Sequence, residues 1–216
     1  MSRVVVVGGA GQGRQVIDVL TEAGEHLVVG VLDPGLVAGS VVAGLPVLDP
    51  GDLVAGADGF VVAIGDNTVR AAAIGRIRAE HPHLELVRAV HPAAVVARDA
   101  VVGAGALLMA GVVVSNGCTL GEGVLMGTRS SVDHDCTVGD HASLAPGATT
   151  GGDVWIGERS AVLLGADVIH GVSVGADTVV GAGAVVIADL PDRVVALGVP
   201  ARVVRPREPG SPYLDR

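Results

Sequence analysis

From Val96 to Val186 the chain keeps a period of six without an insertion. Val96, Val102, Leu108, Val114 and Leu120 open the series, and Val168, Val174, Val180 and Val186 close it. Of the sixteen positions only Thr150 is neither aliphatic nor methionine. Two places before each such residue the side chain is usually small, as at Ala100, Ala106, Cys118, Ser130, Cys136 and Ala142. One place after it there is often glycine, as at Gly103, Gly121, Gly127 and Gly139. A period of six fits neither a 3.6-residue helix nor a two-residue strand; it is the signature of a parallel β-helix. Each hexapeptide makes one short strand and a corner, three make a coil, and the aliphatic ladder fills the interior while neighbouring coils hydrogen-bond to one another. Composition agrees: 50% of residues are hydrophobic but only 1% aromatic, so valine, alanine, leucine and glycine must fill the core.

The first ninety residues have different periods. RVVVVGG (3–9), HLVVGVLD (26–33) and GFVVAIGD (59–66) are short apolar runs ending in glycine or aspartate, as expected of buried parallel strands. Between them Gln12 to Ala23 places Val16, Ile17, Leu20 and Ala23 on one helical face. A second helix is expected to run to about Glu80, capped by Asp66 or Asn67, and LELVRAV (84–90) reads as a closing strand. The alternation predicts a small Rossmann-like βαβ parallel sheet over 1–90. The β-helix is expected over 91–195, and an extended strap followed by a loose end over 196–216.

Several function classes are excluded. Net charge is −9, with no basic tract and almost no aromatic residue, so nucleic acid is not an expected partner. Mean hydropathy is high at +0.58. Yet the longest apolar run, Val101–Val114, is too short to span a bilayer and is broken by glycines. The N-terminus passes at once from a strand into a glycine-rich turn, unlike a signal peptide, and a cytoplasmic location is expected. All fourteen basic residues are arginine, which removes lysine Schiff-base chemistry. Cys118 and Cys136 are eighteen residues apart, hence on adjacent coils, and read as packed reduced thiols.

Three features can carry chemistry. In SSVDHDCTVGD (130–140), His134 stands between Asp133 and Asp135, two places after a ladder residue and therefore at an outward corner. A histidine beside a carboxylate can act as a general base; which aspartate orients it stays open. GGAGQG (8–13) opens the first helix and could cradle phosphates, with Asp33 twenty residues on. A zinc site like that of β-helical carbonic anhydrases is incomplete: His134 and His170 lie two coils apart, but the third ligand position falls on Gly175, so no metal is expected. Arg193, Arg202, Arg205 and Arg207 near the end of the β-helix are either a solvated tail or partners for phosphates.

GGAGQG, VLDP (31–34), VAIGDN (62–67), HPAA (91–94), VDHDCTVGD (132–140) and GVPAR (198–202) occur in order along nearly the whole chain. Together with the repeat they resemble the left-handed β-helix acyltransferases. Within these they are similar to the bacterial sugar O- and N-acyltransferases, which include sialic acid O-acetyltransferases and UDP-4-amino-sugar N-acetyltransferases. The resemblance implies acetyl-CoA as acyl donor, a homotrimer, and His134 as base with Asp135 as its acidic partner. It implies nucleotide-sugar binding at Ala10, Gly11, Gln12, Asp33 and Gly65. It places the acyl-CoA contacts at Ser143, Leu164 and Ala182, in a groove between two β-helices. Ser143 departs from the family pattern, where a second histidine is frequent, and His141 cannot simply replace it. The expected activity is N-acetylation of a nucleotide-linked amino sugar. The alternatives are a sugar O-acetyltransferase, an acyltransferase for another small amine, and a non-catalytic scaffold.

Overall fold

The computed structural model describes residues 1–49, 51 and 56–213. The N-terminal part runs β1 (Ser2–Val7), α1 (Gly11–Ala23), β2 (His26–Leu32), a hairpin of β3 (Val41–Val42) and β4 (Leu45–Pro46), β5 (Gly59–Val62), α2 (Asn67–Glu80) and β6 (Glu85–Leu86). Its sheet is parallel in the order β2-β1-β5-β6. Successive side chains of a strand point to opposite faces, and β1 shows the consequence. Val4 and Val6 join Val16, Ile17 and Leu20 of α1 in one cluster; Val5 and Val7 join Phe60, Ile74 and Ile77 of the α2 side in another. Helix α1 has no side-chain cap and stops at Gly24, whose left-handed backbone returns its N–H to the Leu20 carbonyl. Helix α2 is capped by Asp66, which accepts from the N–H groups of Thr68 and Val69.

The sheet leads directly into a parallel β-solenoid. Its first strand, Ala89–Val90, pairs with Leu107–Leu108, so the solenoid begins before the residue-91 boundary and takes the end of LELVRAV as its own. Two-residue strands form three faces. Face I carries the strands at 89–90, 107–108, 125–126, 143–144, 161–162 and 179–180. Face II begins at 95–96 and ends at 185–186, and face III begins at 101–102 and ends at 173–174. Partners are eighteen residues apart, as Leu125 with Ser143 and Thr137 with Trp155. The ladder points inward: Leu108, Leu120, Met126, Leu144 and Ile156 are fully buried. The α1-side core of the sheet continues into the solenoid interior through Ala89 and Ala106.

Helix α2 packs on the corner between faces III and I. The guanidinium of Arg70, fully buried, donates to the carbonyls of Ile64, Gly65, Gly123 and His141 at 2.7–3.1 Å and to Asn67 Oδ1 at 2.7 Å. Further along, Arg78 pairs with Glu122 through both Nη atoms. The solenoid ends in Val194–Leu197, which joins face I and pairs antiparallel with Arg202–Pro206. That is the expected strap. The loose end is corrected: residues 207–213 fold back onto the junction, and 214–216 lie outside the described residues. Arg207 is 3% exposed, donates to the carbonyls of Asp177 and Ser211, and lies over the Tyr213 ring. Tyr213 Oη accepts from the Asn67 N–H and meets the Gly65 carbonyl at 3.4 Å. Arg207 is thus a buried structural cation, unavailable to bind phosphates; Arg202 and Arg205 remain exposed.

Candidate active site

His134 sits at the corner between faces II and III, after the strand Ser131–Val132 and before Thr137–Val138. Corner hydrogen bonds stack Asn116, His134, Gly152 and His170 on successive coils: the N–H groups of Asp135, Asp153 and Gly171 donate to the carbonyls of Asn116, His134 and Gly152. Asp135 adopts a left-handed backbone (φ 58°), a conformation aspartate tolerates better than most residues. That turn brings its carboxylate back to the preceding ring, where Oδ2 lies 2.9 Å from His134 Nδ1. Asp133 is used differently: its Oδ1 accepts from the His134 backbone N–H at 2.8 Å. Of the two carboxylates only that of Asp135 reaches the His134 ring.

A carboxylate can only accept, so Nδ1 carries the proton and Nε2 presents a lone pair. The hydrogen bond to Asp135, helped by the charge of Asp133, raises the His134 pKa above its ordinary 6.5. The pair is accessible, with side chains 54% and 63% exposed. Two glycines frame it. A Cβ at Gly117 would collide with the Asp135 carboxylate. A Cβ at Gly152 would stand 2.5 Å from both Cε1 and Nε2 of His134. The Gly152 N–H has no acceptor among the described residues. Thr150 lies in the interior beneath the same corner, with its hydroxyl 3.4 Å from both the Asp133 N–H and Cys136 Sγ.

A second site lies at the carboxyl ends of β1 and β5. The chain leaves β1 for β2 on one side and later crosses to β5 on the other, and crevices form at such switch points. Here there is a cavity of about 490 Å³ lined by Ala10, Gln12, Asp33 and Gly65 together with Gly8 and Arg76. Gly11 is the first residue of α1 beside it. Asp33 braces the turn: Oδ2 accepts from the Gly9 N–H at 2.7 Å and Oδ1 from the Gly35 N–H at 2.8 Å. Gly13 must lack a side chain, since a Cβ would overlap the Gly8 carbonyl oxygen. Gln12 Nε2 is buried without a partner. The uncapped N-terminus of α1, with no acidic residue in its first turn, and the Arg76 guanidinium suit an anion. A second cavity of about 420 Å³ shares Asp33 and Arg76 and extends along α2 to His81.

The remaining expected residues lie apart. Leu164 (59% exposed) and Ala182 occupy one corner between faces I and II on successive coils, and neither backbone N–H has an acceptor among the described residues. Ser143 is not with them. It is 6% exposed on face I, its N–H donates to the Ser160 carbonyl, and its hydroxyl lies against that of Tyr213. His141 is wedged by Gly123 beneath α2, and burial lowers its pKa. No group of three or more histidine, cysteine, aspartate or glutamate side chains could hold a metal among the described residues. No described helix is long and apolar enough to cross a membrane. The sequence reading did not single out Gly152 or Arg76. Gly152 is signalled by lying eighteen residues after His134; Arg76 carries no signal beyond its place on a helix.

Comparison with known proteins follows the same division. Residues 3–77 match the family model of the PglD N-terminal domain. No curated protein sequence gives a match. Among solved structures, a point mutant of the GDP-perosamine N-acetyltransferase from Caulobacter crescentus, in complex with CoA and GDP-perosamine, is 39% identical. That match covers 94% of this chain and 97% of the other with a TM-score of 0.88. The acetyltransferase domain of PglB from Neisseria gonorrhoeae is 32% identical over 94% of this chain and 100% of its own, also with a TM-score of 0.88. WeeI from Acinetobacter baumannii, at 23% identity and a TM-score of 0.67 over 94% of this chain and 100% of its own, shares the fold. With near-complete coverage at this identity, the chain belongs to the left-handed β-helix sugar N-acetyltransferases.

Proposed function

We propose that the protein transfers an acetyl group from acetyl-CoA to the amine of a nucleotide-linked amino sugar. The observation that carries this reading is the His134–Asp135 pair, a half-exposed base whose tautomer is set by a carboxylate on Nδ1 and whose ring lies over the side-chain-free Gly152. The donor supplies the thioester. His134 Nε2 takes a proton from the attacking amine nitrogen as it bonds to the thioester carbonyl carbon. Asp135 stabilises the imidazolium through Nδ1. When the C–S bond breaks, the thiolate recovers the proton from Nε2, leaving the N-acetyl sugar and CoA.

The cavity at Ala10, Gly11, Gln12, Asp33 and Gly65 takes the nucleotide diphosphate, with the α1 N-terminus and Arg76 as its cationic side. Its lining contains no solenoid residue. His134 lies on the II–III edge, whereas Leu164 and Ala182 lie on the I–II edge. One chain therefore does not assemble the whole site, which supports a homotrimer in which neighbouring β-helices complete a groove. In that groove the free N–H groups of Leu164 and Ala182 hold the acyl donor. Ser143 belongs instead to the junction with Tyr213. Acetyl-CoA chemistry and two buried free thiols fit a cytoplasmic enzyme.

The test is release of CoA from acetyl-CoA with a panel of GDP-, UDP- and TDP-linked amino sugars, beside the hydroxyl analogues and His134→Ala. Release with an amino sugar alone, lost in the variant, is the expected result. Release with the hydroxyl analogues alone makes the protein an O-acetyltransferase, and binding without release makes it a scaffold. Light scattering at the mass of a monomer would contradict the trimer.

A further inference from the structure

The solenoid interior has one polar ladder residue and one missing ladder hydrogen bond, and the two coincide beside His134. At equivalent positions from His91 to Ile169, the residue after each strand donates its N–H to the ladder carbonyl one coil on. Examples are Ser115 to Val132 at 3.1 Å, Gly127 to Leu144 at 2.7 Å and Gly139 to Ile156 at 2.7 Å. Asp133 alone does not donate to the carbonyl of Thr150. Its N–H meets the Thr150 hydroxyl instead, at 3.4 Å. The strand pairing thins at the same place: Ser131 keeps its partner Thr149, but Val132 and Thr150 do not pair, whereas the neighbouring coils pair at both residues.

Other interior groups tie down the same segment. Cys118 Sγ donates to the Asp133 carbonyl at 3.0 Å, and Cys136 Sγ, 3.4 Å from the Thr150 hydroxyl, donates to the Gly151 carbonyl at 3.2 Å. The backbone just before and just after His134–Asp135 is thus held by polar side chains reaching out of the ladder. Valine fills equivalent positions elsewhere and carries no hydroxyl to desolvate, so packing gives threonine no advantage here.

We propose that Thr150 is a positioning residue for the acetyl transfer: its hydroxyl replaces a ladder carbonyl, keeps the Asp133–Asp135 corner from closing onto the next coil, and sets the His134 ring over Gly152. This rests on the reading of His134 as base. The Thr150 hydroxyl touches no reacting atom; it acts through the Asp133 backbone, one residue from the imidazole.

The test compares Thr150→Val and Thr150→Ser with wild type and with His134→Ala. Thr150→Val suits the ladder and lets the Asp133 N–H turn to the carbonyl of residue 150, as at the other rungs, so Tm is expected to hold or rise. Its kcat is expected to fall about tenfold or more, with both KM values within about twofold, since a small misplacement of a catalytic group has effects of this size. Thr150→Ser restores the hydroxyl and is expected to recover most of kcat. In Thr150→Val the NMR titration of the His134 imidazole is expected to move down toward the ordinary histidine value as the Asp135 contact loosens. Wild-type kcat in Thr150→Val overturns the proposal, while an inactive His134→Ala would keep the base reading intact. Parallel loss of Tm and kcat with no recovery in Thr150→Ser also overturns it. If His134→Ala stays active, the base reading fails, and an unmoved His134 titration in Thr150→Val then disposes of the Thr150 contact as well.

Discussion

Gly152→Ala should cost the enzyme most of its turnover while leaving its fold intact. Gly152 is buried directly against the His134 ring and its φ lies outside the left-handed region, so its backbone accepts alanine. The added Cβ would stand 2.5 Å from Cε1 and Nε2, about 0.9 Å inside the 3.4 Å at which ordinary contact begins. The neighbour that must give way is an exposed side chain, so the ring swings rather than the coil. Swinging moves Nε2 by about that distance and strains the 2.9 Å hydrogen bond to Asp135. A displacement near 1 Å is worth about a hundredfold in rate. The same change reduces the freedom of the unfolded chain, which offsets some crowding and leaves stability within about 1 kcal/mol. Steady-state CoA release and a thermal melt give both quantities. Wild-type kcat in a folded Gly152→Ala would refute the placement of His134 over Gly152 as the working geometry.

Three more outcomes follow from the contacts. Because Asp135 holds the His134 pKa above 6.5 and the base must be neutral, kcat/KM should rise with pH through an inflection above 6.5. In Asp135→Asn that inflection should move down while kcat falls; an unmoved inflection would remove Asp135 from the pair. Burial lowers the pKa of Arg70 to about 10, which keeps it charged at neutral pH. Arg70→Met should lose about 3–5 kcal/mol, because it strands the buried carbonyls of Gly65, Gly123 and His141 at the junction without a donor. For a chain of this size that is a fall in Tm of roughly 10 °C, read by calorimetry. Arg207→Ala should cost about 2 kcal/mol and free Tyr213, seen as faster proteolysis after residue 206, with kcat unchanged at saturating substrate.

Regular structure was legible wherever a period repeats. From Leu108 to Val186 the ladder residues are buried as their spacing requires, Val96 and Val102 on the first coil are only half-buried, and α1 and α2 begin and end within a residue of expectation. Boundaries without a change of period were not. Ala89–Val90 continues an apolar alternation begun by Leu84, and only pairing with Leu107–Leu108 assigns it to the solenoid. The hairpin at Val41–Pro46 turns on Ala43 and Gly44, both with positive φ, of which only the glycine is a local signal. The choice between Asp133 and Asp135 waited on the left-handed turn at Asp135, since both are adjacent to His134 in sequence. Contacts across long separations were invisible. Tyr213 meets Asn67 from 146 residues away, and no local pattern foretells that the tail returns. Ser143 has the right register for an outward position on face I; that Tyr213 covers it is another such long-range fact.

A perfect solenoid would have no active site, because each corner would repeat the one below it. What distinguishes the His134 corner is departure from the repeat on three levels. On the outside, two acids replace the usual corner residues, one holding the backbone N–H and the other the ring. On the stack, Gly152 interrupts a column that otherwise bears the side chains of Asn116, His134 and His170, and so opens the space the ring occupies. Inside, Thr150 interrupts the aliphatic ladder and one hydrogen-bonded rung. Each departure alone would weaken the repeat slightly, as a lost ladder hydrogen bond or a buried hydroxyl does. Their clustering between Asp133 and Gly152 is what the proposed placement of one imidazole requires. The long regular stretches on either side then have a mechanical purpose: eighteen-residue pairing above and below supplies the rigidity against which a locally irregular corner can hold a fixed geometry.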